Sequence, residues 1–169
     1  DLATFAFFCR RPNLLKMKND FQNSNNLKLG KGMIFHIAPS NVPMNFAFSL
    51  LLGLLSGNTN IVRVPSLYFD QINIIAKAID NLATSNKYSK ISDRIILIRY
   101  SKNSAITKLF SIHCDVRIIW GGDNTIKQIR KNPLKPRSFD ITFADRYSIC
   151  VINADKFIDE SNPYKVAKN

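Results

Sequence analysis

The chain has 169 residues, 46% of them hydrophobic and 21% charged, which suits one domain with a real core and excludes a disordered chain. Its 24 basic and 12 acidic residues give a formal charge of +12, a balance that attracts phosphate non-specifically. The cations are scattered, however, and the densest run (Lys127, Arg130, Lys131, Lys135 and Arg137) lacks the aromatic interleaving of single-strand binders, so no specific nucleic-acid partner is expected.

Residues 1–30 read as an N-terminal helix or arm followed by a connector. An apolar segment from Phe5 to Phe8 ends in Arg10-Arg11-Pro12, and a polar run extends from Asn19 to Asn26. Residues 31–169 read as the domain proper. Its first strand is Met33 to Ile37, and Pro43 precedes a helix over 44–55, where its missing donor costs nothing. That helix is apolar almost all round, which predicts burial. Gly57 is placed to end it by taking a left-handed conformation. A β-branched strand follows at Asn60 to Val64.

Asp70 opens a helix with Ile72, Ile75, Ala76 and Ile79 on one face. Further strands are predicted at 94–100, 115–120 and 147–153, with helices over 104–112 and 125–131. Pro133 and Pro136 break the pattern between them, and Asp155 could cap a last helix. Strands alternating with helices predict an α/β fold with a doubly wound, mainly parallel Rossmann-like sheet.

Cys9, Cys114 and Cys150 are odd in number and share no short spacing, so neither a disulfide framework nor a metal site is expected. A reducing cytoplasm fits them. The longest apolar run, Phe46 to Leu55, is interrupted by Ser49 and is shorter than the ~20 residues needed to span a bilayer. No signal-peptide pattern opens the chain.

In parallel sheets ligands bind at the carboxyl ends of the strands. Ala38-Pro39-Ser40-Asn41 follows the first strand, and Arg63-Val64-Pro65-Ser66 closes the second. A polar turn across from a cation suits an anionic, ribose-bearing ligand. Arg63 can contact an adenosine ribose and accept a 2′-phosphate, and Ser66 adds a hydroxyl. After the fourth strand, Gly121 and Gly122 would let backbone donors approach a phosphate, with Thr125 nearby. Asp123 would repel a pyrophosphate placed directly on that helix end, so a cofactor is expected beside the turn. There is no GxGxxG dinucleotide fingerprint.

The stretch PSNVP (Pro39 to Pro43), then LLSGNTNIVRVPS (Leu54 to Ser66), resembles the aldehyde dehydrogenase superfamily's Asn-x-Pro turn followed by Gly-Asn and a strand ending in Lys-Pro-Ser. A second block, DVRIIWGGDNTIKQIRKNPLKPRSFDITFADRYS (Asp115 to Ser148), favours the acyl-CoA reductase family, the fatty-acid reductase component of bacterial luminescence systems. The two blocks stand in the family's order.

The resemblance implies an NADPH-dependent reduction of a fatty acyl thioester, such as an acyl-CoA, to an aldehyde through an acyl-cysteine. It also implies acyl-transferase or synthetase partners. By resemblance Asn41 matches an oxyanion-stabilising Asn, a role that needs a donor near the reacting carbonyl, and Ser40, Arg63, Ser66, Gly121, Gly122 and Thr125 fall at cofactor-contact positions. Arg63 replaces the superfamily's Lys, and Gly121-Gly122 replaces a Gly-Ser pair. The family's nucleophilic Cys lies after the ADRYS segment, in a catalytic domain expected to be absent from this chain, and none of the three cysteines matches it. No Glu stands near Asp140 to Thr142, where the general base would fall. The chain opens at Asp1 and ends in a polar tail, and is read as a fragment of a longer enzyme, inactive alone. Two other readings stay open: a non-catalytic remnant or interaction module of the same fold, and a basic nucleotide- or nucleic-acid-binding domain.

Overall fold

In the computed structural model, residues 1–23, 28–85, 87–101 and 105–144 are described, together with Ile149 and Val151. Five short segments rich in Ile, Val and Phe form the strands β1 (Met33–Ile37), β2 (Thr59–Arg63), β3 (Ile95–Ile98), β4 (Val116–Trp120) and β5 (Phe139–Phe143). They pair in the order β3-β2-β1-β4-β5, and every pair is parallel. The register sets Ile37 beside Arg63 on one side and beside Ile119 on the other.

Parallel strands need crossovers, and the helices supply them. The chain contains α1 (Leu2–Phe8), α2 (Arg11–Gln22), α3 (Asn45–Leu55), α4 (Asp70–Ala83), α5 (Ser89–Ser92), α6 (Ala105–His113) and α7 (Asp123–Arg130). One core, built on Met44, Phe46, Ala47, Leu50, Val62 and Ile72, joins α3 and α4 to one face of the sheet. A second, built on Phe35, Ile37, Ile61, Cys114, Ile119 and Ile126, joins α6 and α7 to the other face. On the first face, Phe5 and Phe8 of α1 meet Phe48 of α3 edge-on, with ring centroids 4.9 and 5.2 Å apart.

The chain builds β1, β2 and β3 outward in one direction, then crosses back over β1 to lay down β4 and β5. The loops after β1 and β4 therefore leave in opposite directions and open a crevice at the carboxyl ends of the strands.

The α3–β2 connection shows why so short a link suffices. Gly57 takes φ +80°, and its N–H donates to Leu54 O at 2.9 Å while Asn58 N–H donates to Gly53 O at 3.1 Å. These two bonds close the helix end and turn the chain directly into β2.

Two expectations need correction. The fifth strand of the sheet is Phe139–Phe143, not 147–153; the latter segment lies mostly outside the described residues, and its described members Ile149 and Val151 are not in a strand. Phe-Asp-Ile-Thr-Phe alternates in period two, with Phe139, Ile141 and Phe143 on the more exposed side. The helix over 44–55 is also not buried all round. Leu52 and Leu55 are 47% and 44% exposed, because they border a groove beside α2 instead of the sheet.

Candidate functional site

At the carboxyl ends of β1, β2 and β4 lies a cleft of about 390 Å³, within the range of small-molecule sites. Three strand-end hydrogen bonds extend the sheet pattern into its walls: Ala38 N–H to Arg63 O at 3.1 Å, Val64 N–H to Ile98 O at 3.0 Å, and Gly121 N–H to Phe143 O at 3.1 Å. The cleft brings together all seven residues singled out in the sequence: Ser40, Asn41, Arg63, Ser66, Gly121, Gly122 and Thr125. Ser40 and Asn41 stand exposed at the mouth. A larger cavity of about 1000 Å³ lies between α2 and the far end of α3, near the amino ends of β1 and β2. Its lining combines apolar side chains such as Leu14, Leu15, Phe21, Leu52 and Leu55 with Arg11, Lys18 and Lys28; the smaller cleft, at the carboxyl ends of the strands where parallel sheets bind ligands, is the better candidate site.

Arg63 occupies the last position of β2 and is held from one side only. Its Nη2 donates to Tyr100 O at 3.3 Å, and its guanidinium lies 4.8 Å from the Tyr100 ring centroid. Thr107 fixes that ring by donating its hydroxyl to the Tyr100 phenol oxygen at 3.0 Å. Burial pushes the Tyr100 phenol up, against the smaller opposing pulls of the Thr107 bond and the Arg63 charge, so Tyr100 stays neutral beside the cation. The Arg63 Nε is buried and has no acceptor among the described residues. Leaving such a donor unmet costs about 1–3 kcal/mol.

Across the cleft Gly121 takes φ +154°, a conformation L side chains rarely adopt. A Cβ there would stand 3.2 Å from Thr125 Cγ2, so only glycine keeps the turn open above α7. Gly122 caps α7 with extended backbone. An unmet guanidinium donor on one wall and a side-chain-free turn on the other fit a phosphate-bearing nucleotide.

In the sequence Tyr100 is the last residue of the strand expected over 94–100, and only its aromatic character, two residues beyond Ile98, signals a part in the cleft. Trp120, at the end of β4, also lines the cleft.

The described cysteines are poor nucleophiles. Cys114 is fully buried, and burial pushes its thiol up to about 11; its Sγ–H donates to Ser111 O at 3.4 Å. Burial also raises the Cys9 thiol, on the N-terminal segment. Cys150 lies outside the described residues. Asp140, in the stretch where the resemblance places a general base, is committed to Arg117 at 2.7 Å and to Arg130 at 3.2 Å. Among the described residues there is no group of three or more His, Cys, Asp or Glu that could hold a metal ion, and no helix is long and apolar enough to cross a membrane.

A family model described as acyl-CoA reductase (LuxC) matches residues 10–168. A long-chain acyl-protein thioester reductase of Aliivibrio fischeri is 27% identical over 130 residues, covering 76% of this chain and 26% of the relative. Its counterpart from Photorhabdus luminescens is 24% identical over 124 residues, covering 73% and 25%. The chain thus spans about a quarter of the length of these relatives.

Among solved structures, glyceraldehyde-3-phosphate dehydrogenase GapN from Methanocaldococcus jannaschii, complexed with NADP, superposes with a TM-score of 0.61. It is 14% identical and matches 78% of this chain and 31% of its own. Staphylococcus aureus AldH gives a TM-score of 0.57 at 18% identity, over 78% and 30%. These likenesses show an aldehyde dehydrogenase-type fold.

Proposed function

The chain belongs to the acyl-CoA reductase (LuxC) family, and from that premise we propose that it forms the nucleotide-binding part of an NADPH-dependent reductase. The substrate of the whole enzyme is a fatty acyl thioester, carried on coenzyme A or on a protein, and the product is the aldehyde. In such a reaction an enzyme thiol takes the acyl group from its carrier, and the bound dinucleotide supplies the hydride that releases the aldehyde. Neither described cysteine suits that thiol, which we assign to sequence outside this chain. We also assign the enzyme to the cytoplasm, with acyl-transferase or synthetase partners handing over the acyl group.

The observation that carries the reading is Arg63, a cation at the end of β2 whose buried Nε lacks an acceptor among the described residues, facing a glycine turn across the cleft. In this reading Arg63 binds the adenosine ribose and its 2′-phosphate, and Ser66 adds a hydroxyl. Ser40, Gly121, Gly122 and Thr125 flank the pyrophosphate, which lies beside α7 because Asp123 occupies the first turn of that helix. Asn41 presents a side-chain amide to the oxygen that gains charge as the thioester carbonyl is attacked. Residues 1–30 act as an arm on the 31–169 nucleotide-binding domain.

Isothermal calorimetry of the chain with NADPH and NADH tests the proposal. Saturable binding of NADPH, tighter than NADH, is expected, with no aldehyde formed from acyl-CoA and NADPH by this chain alone. No heat with either cofactor would overturn it, and turnover abolished by Cys114→Ser would place the thiol inside the chain.

A further inference from the structure

A line of buried polar groups runs from the interior of the fold to the cleft. Asn60 Nδ2 donates to Asn58 O at 2.9 Å, which turns its Oδ1 toward His36 Nε2, 2.9 Å away. His36 therefore carries its proton on Nε2, leaving Nδ1 to accept from the Ser49 hydroxyl at 2.8 Å. The Ser49 oxygen in turn accepts from Trp120 Nε1–H at 3.4 Å. Each donor meets one acceptor, so the whole line has a single direction. Asn60 and His36 are fully buried and Ser49 is 5% exposed.

The line depends on close approach of α3 to the sheet. Gly53, one helical turn beyond Ser49, has no side chain, and a Cβ there would overlap Asn60 Oδ1 and come within 3.2 Å of His36 Nε2. Burial drives the His36 pKa down to about 4, the Asn60 bond opposing only in part, so the ring is neutral at physiological pH and the line keeps its direction.

At the cleft end, Trp120 is partly exposed and stacks on Phe143, with centroids 4.0 Å apart and rings 12° from parallel. One face of the indole is thereby backed and its edge is tied to Ser49. Trp120 ends β4 and Arg63 ends β2, with β1 between them, a separation of roughly 10 Å at ~4.8 Å per strand. A dinucleotide whose phosphorylated ribose is held at Arg63 carries its second ring across β1 toward β4. In the oxidised cofactor that ring is a planar cation, which the face of an indole attracts.

We propose that Trp120 is a cofactor-contact residue, the wall against which the nicotinamide ring rests, and that Ser49 is the positioning residue that fixes the indole through the buried line from His36 and Asn60. This rests on the dinucleotide reading of the same cleft and adds a role for a side chain outside the cofactor set singled out in the sequence.

Trp120 is the chain's one tryptophan, so emission excited on the red edge, where tyrosine does not absorb, reports on it alone. The chain is titrated with NADP⁺ and, separately, with 2′,5′-ADP, which carries the same phosphate without the nicotinamide; calorimetry runs in parallel. Both ligands should bind, and only NADP⁺ should quench the emission. Trp120→Phe should weaken NADP⁺ about three- to tenfold and leave 2′,5′-ADP affinity unchanged. Ser49→Ala should shift the emission maximum of the free protein and reduce the quenching, again with 2′,5′-ADP affinity retained.

NADP⁺ binding without a change in emission, or equal changes with both ligands, would overturn the contact while leaving the cofactor reading intact. Unaltered emission and quenching in Ser49→Ala would overturn the positioning role. Absence of heat with both ligands would defeat the cofactor reading and this inference together.

Discussion

Arg63 and Arg117 lie on strands that flank β1 on either side, and the fold treats them in opposite ways. Arg117, at mid-β4, is 1% exposed. Its Nε and Nη2 donate to the two oxygens of Asp140 at 2.7 and 3.1 Å. Its Nη1 donates to Ser111 Oγ at 2.8 Å and to Asn132 O at 2.9 Å. Every nitrogen of this guanidinium is partnered, by β5, α6 and the turn after α7. Among the described residues the Arg63 guanidinium makes one hydrogen bond, to Tyr100 O at 3.3 Å, and its Nε is unmet. A buried arginine partnered at every nitrogen ties elements together. One with an unmet nitrogen at a strand end keeps bonding capacity for a ligand.

The largest effect should come from breaking the fully partnered member. Arg117→Ala leaves the largely buried Asp140 only the exposed Arg130, at 3.2 Å, and removes the side-chain clamp between β4 and β5, so urea denaturation should show a loss of about 3–5 kcal/mol. A loss below about 1 kcal/mol would mean that Arg117 is not the clamp described here.

His36 belongs with Arg117, being buried and bonded on both ring nitrogens. Its folded pKa of about 4 lies below the ordinary 6.5. Its contribution is therefore fully present above pH 6.5 and is lost as the pH falls through 4, because the unfolded chain binds the proton first. Over that window the loss amounts to about 3 kcal/mol, and His36→Asn should remove that part of the pH dependence. Asp115 acts at lower pH: the Lys135 hydrogen bond, chiefly, holds its carboxyl below the usual range, so its share disappears only under more acidic conditions.

A smaller effect is expected where the interior is crowded, away from any charge. Gly53→Ala pushes a methyl into Asn60 Oδ1 and should cost about 1–3 kcal/mol. Its signature is a change in Trp120 emission as the line through His36 shifts. The smallest change in stability should be that of Arg63→Ala, less than about 1 kcal/mol, since the fold draws little from this side chain. A loss as large as that of Arg117→Ala would erase the distinction between the two arginines.

Much of the cleft was legible in the sequence because its parts are local. A β-branched strand, a polar turn and a cation at the next strand end can be read within the thirty-one residues from His36 to Ser66. What escaped was non-local. Arg117 and Asp140 are 23 positions apart, and Trp120 and Ser49 are 71 apart, so no window of periodicity contains either pair. β5 was missed for a different reason. Pro133 and Pro136 precede it closely, and their interruption outweighed the short alternation from Phe139 to Phe143. The groove beside α2 arises from how that helix sits against Leu52 and Leu55, which apolar content alone could not separate from a fully buried helix.

The central claim is that Arg63 reserves its donors for the phosphorylated ribose of a dinucleotide, and paired titration of the parent chain and Arg63→Ala with NADPH and NADH tests it most directly. Loss of a charge-assisted contact of about 1.5–3 kcal/mol should weaken NADPH roughly ten- to a hundredfold and NADH much less. Equal losses for both cofactors would reduce Arg63 to a ribose contact, and unchanged affinities would contradict the account.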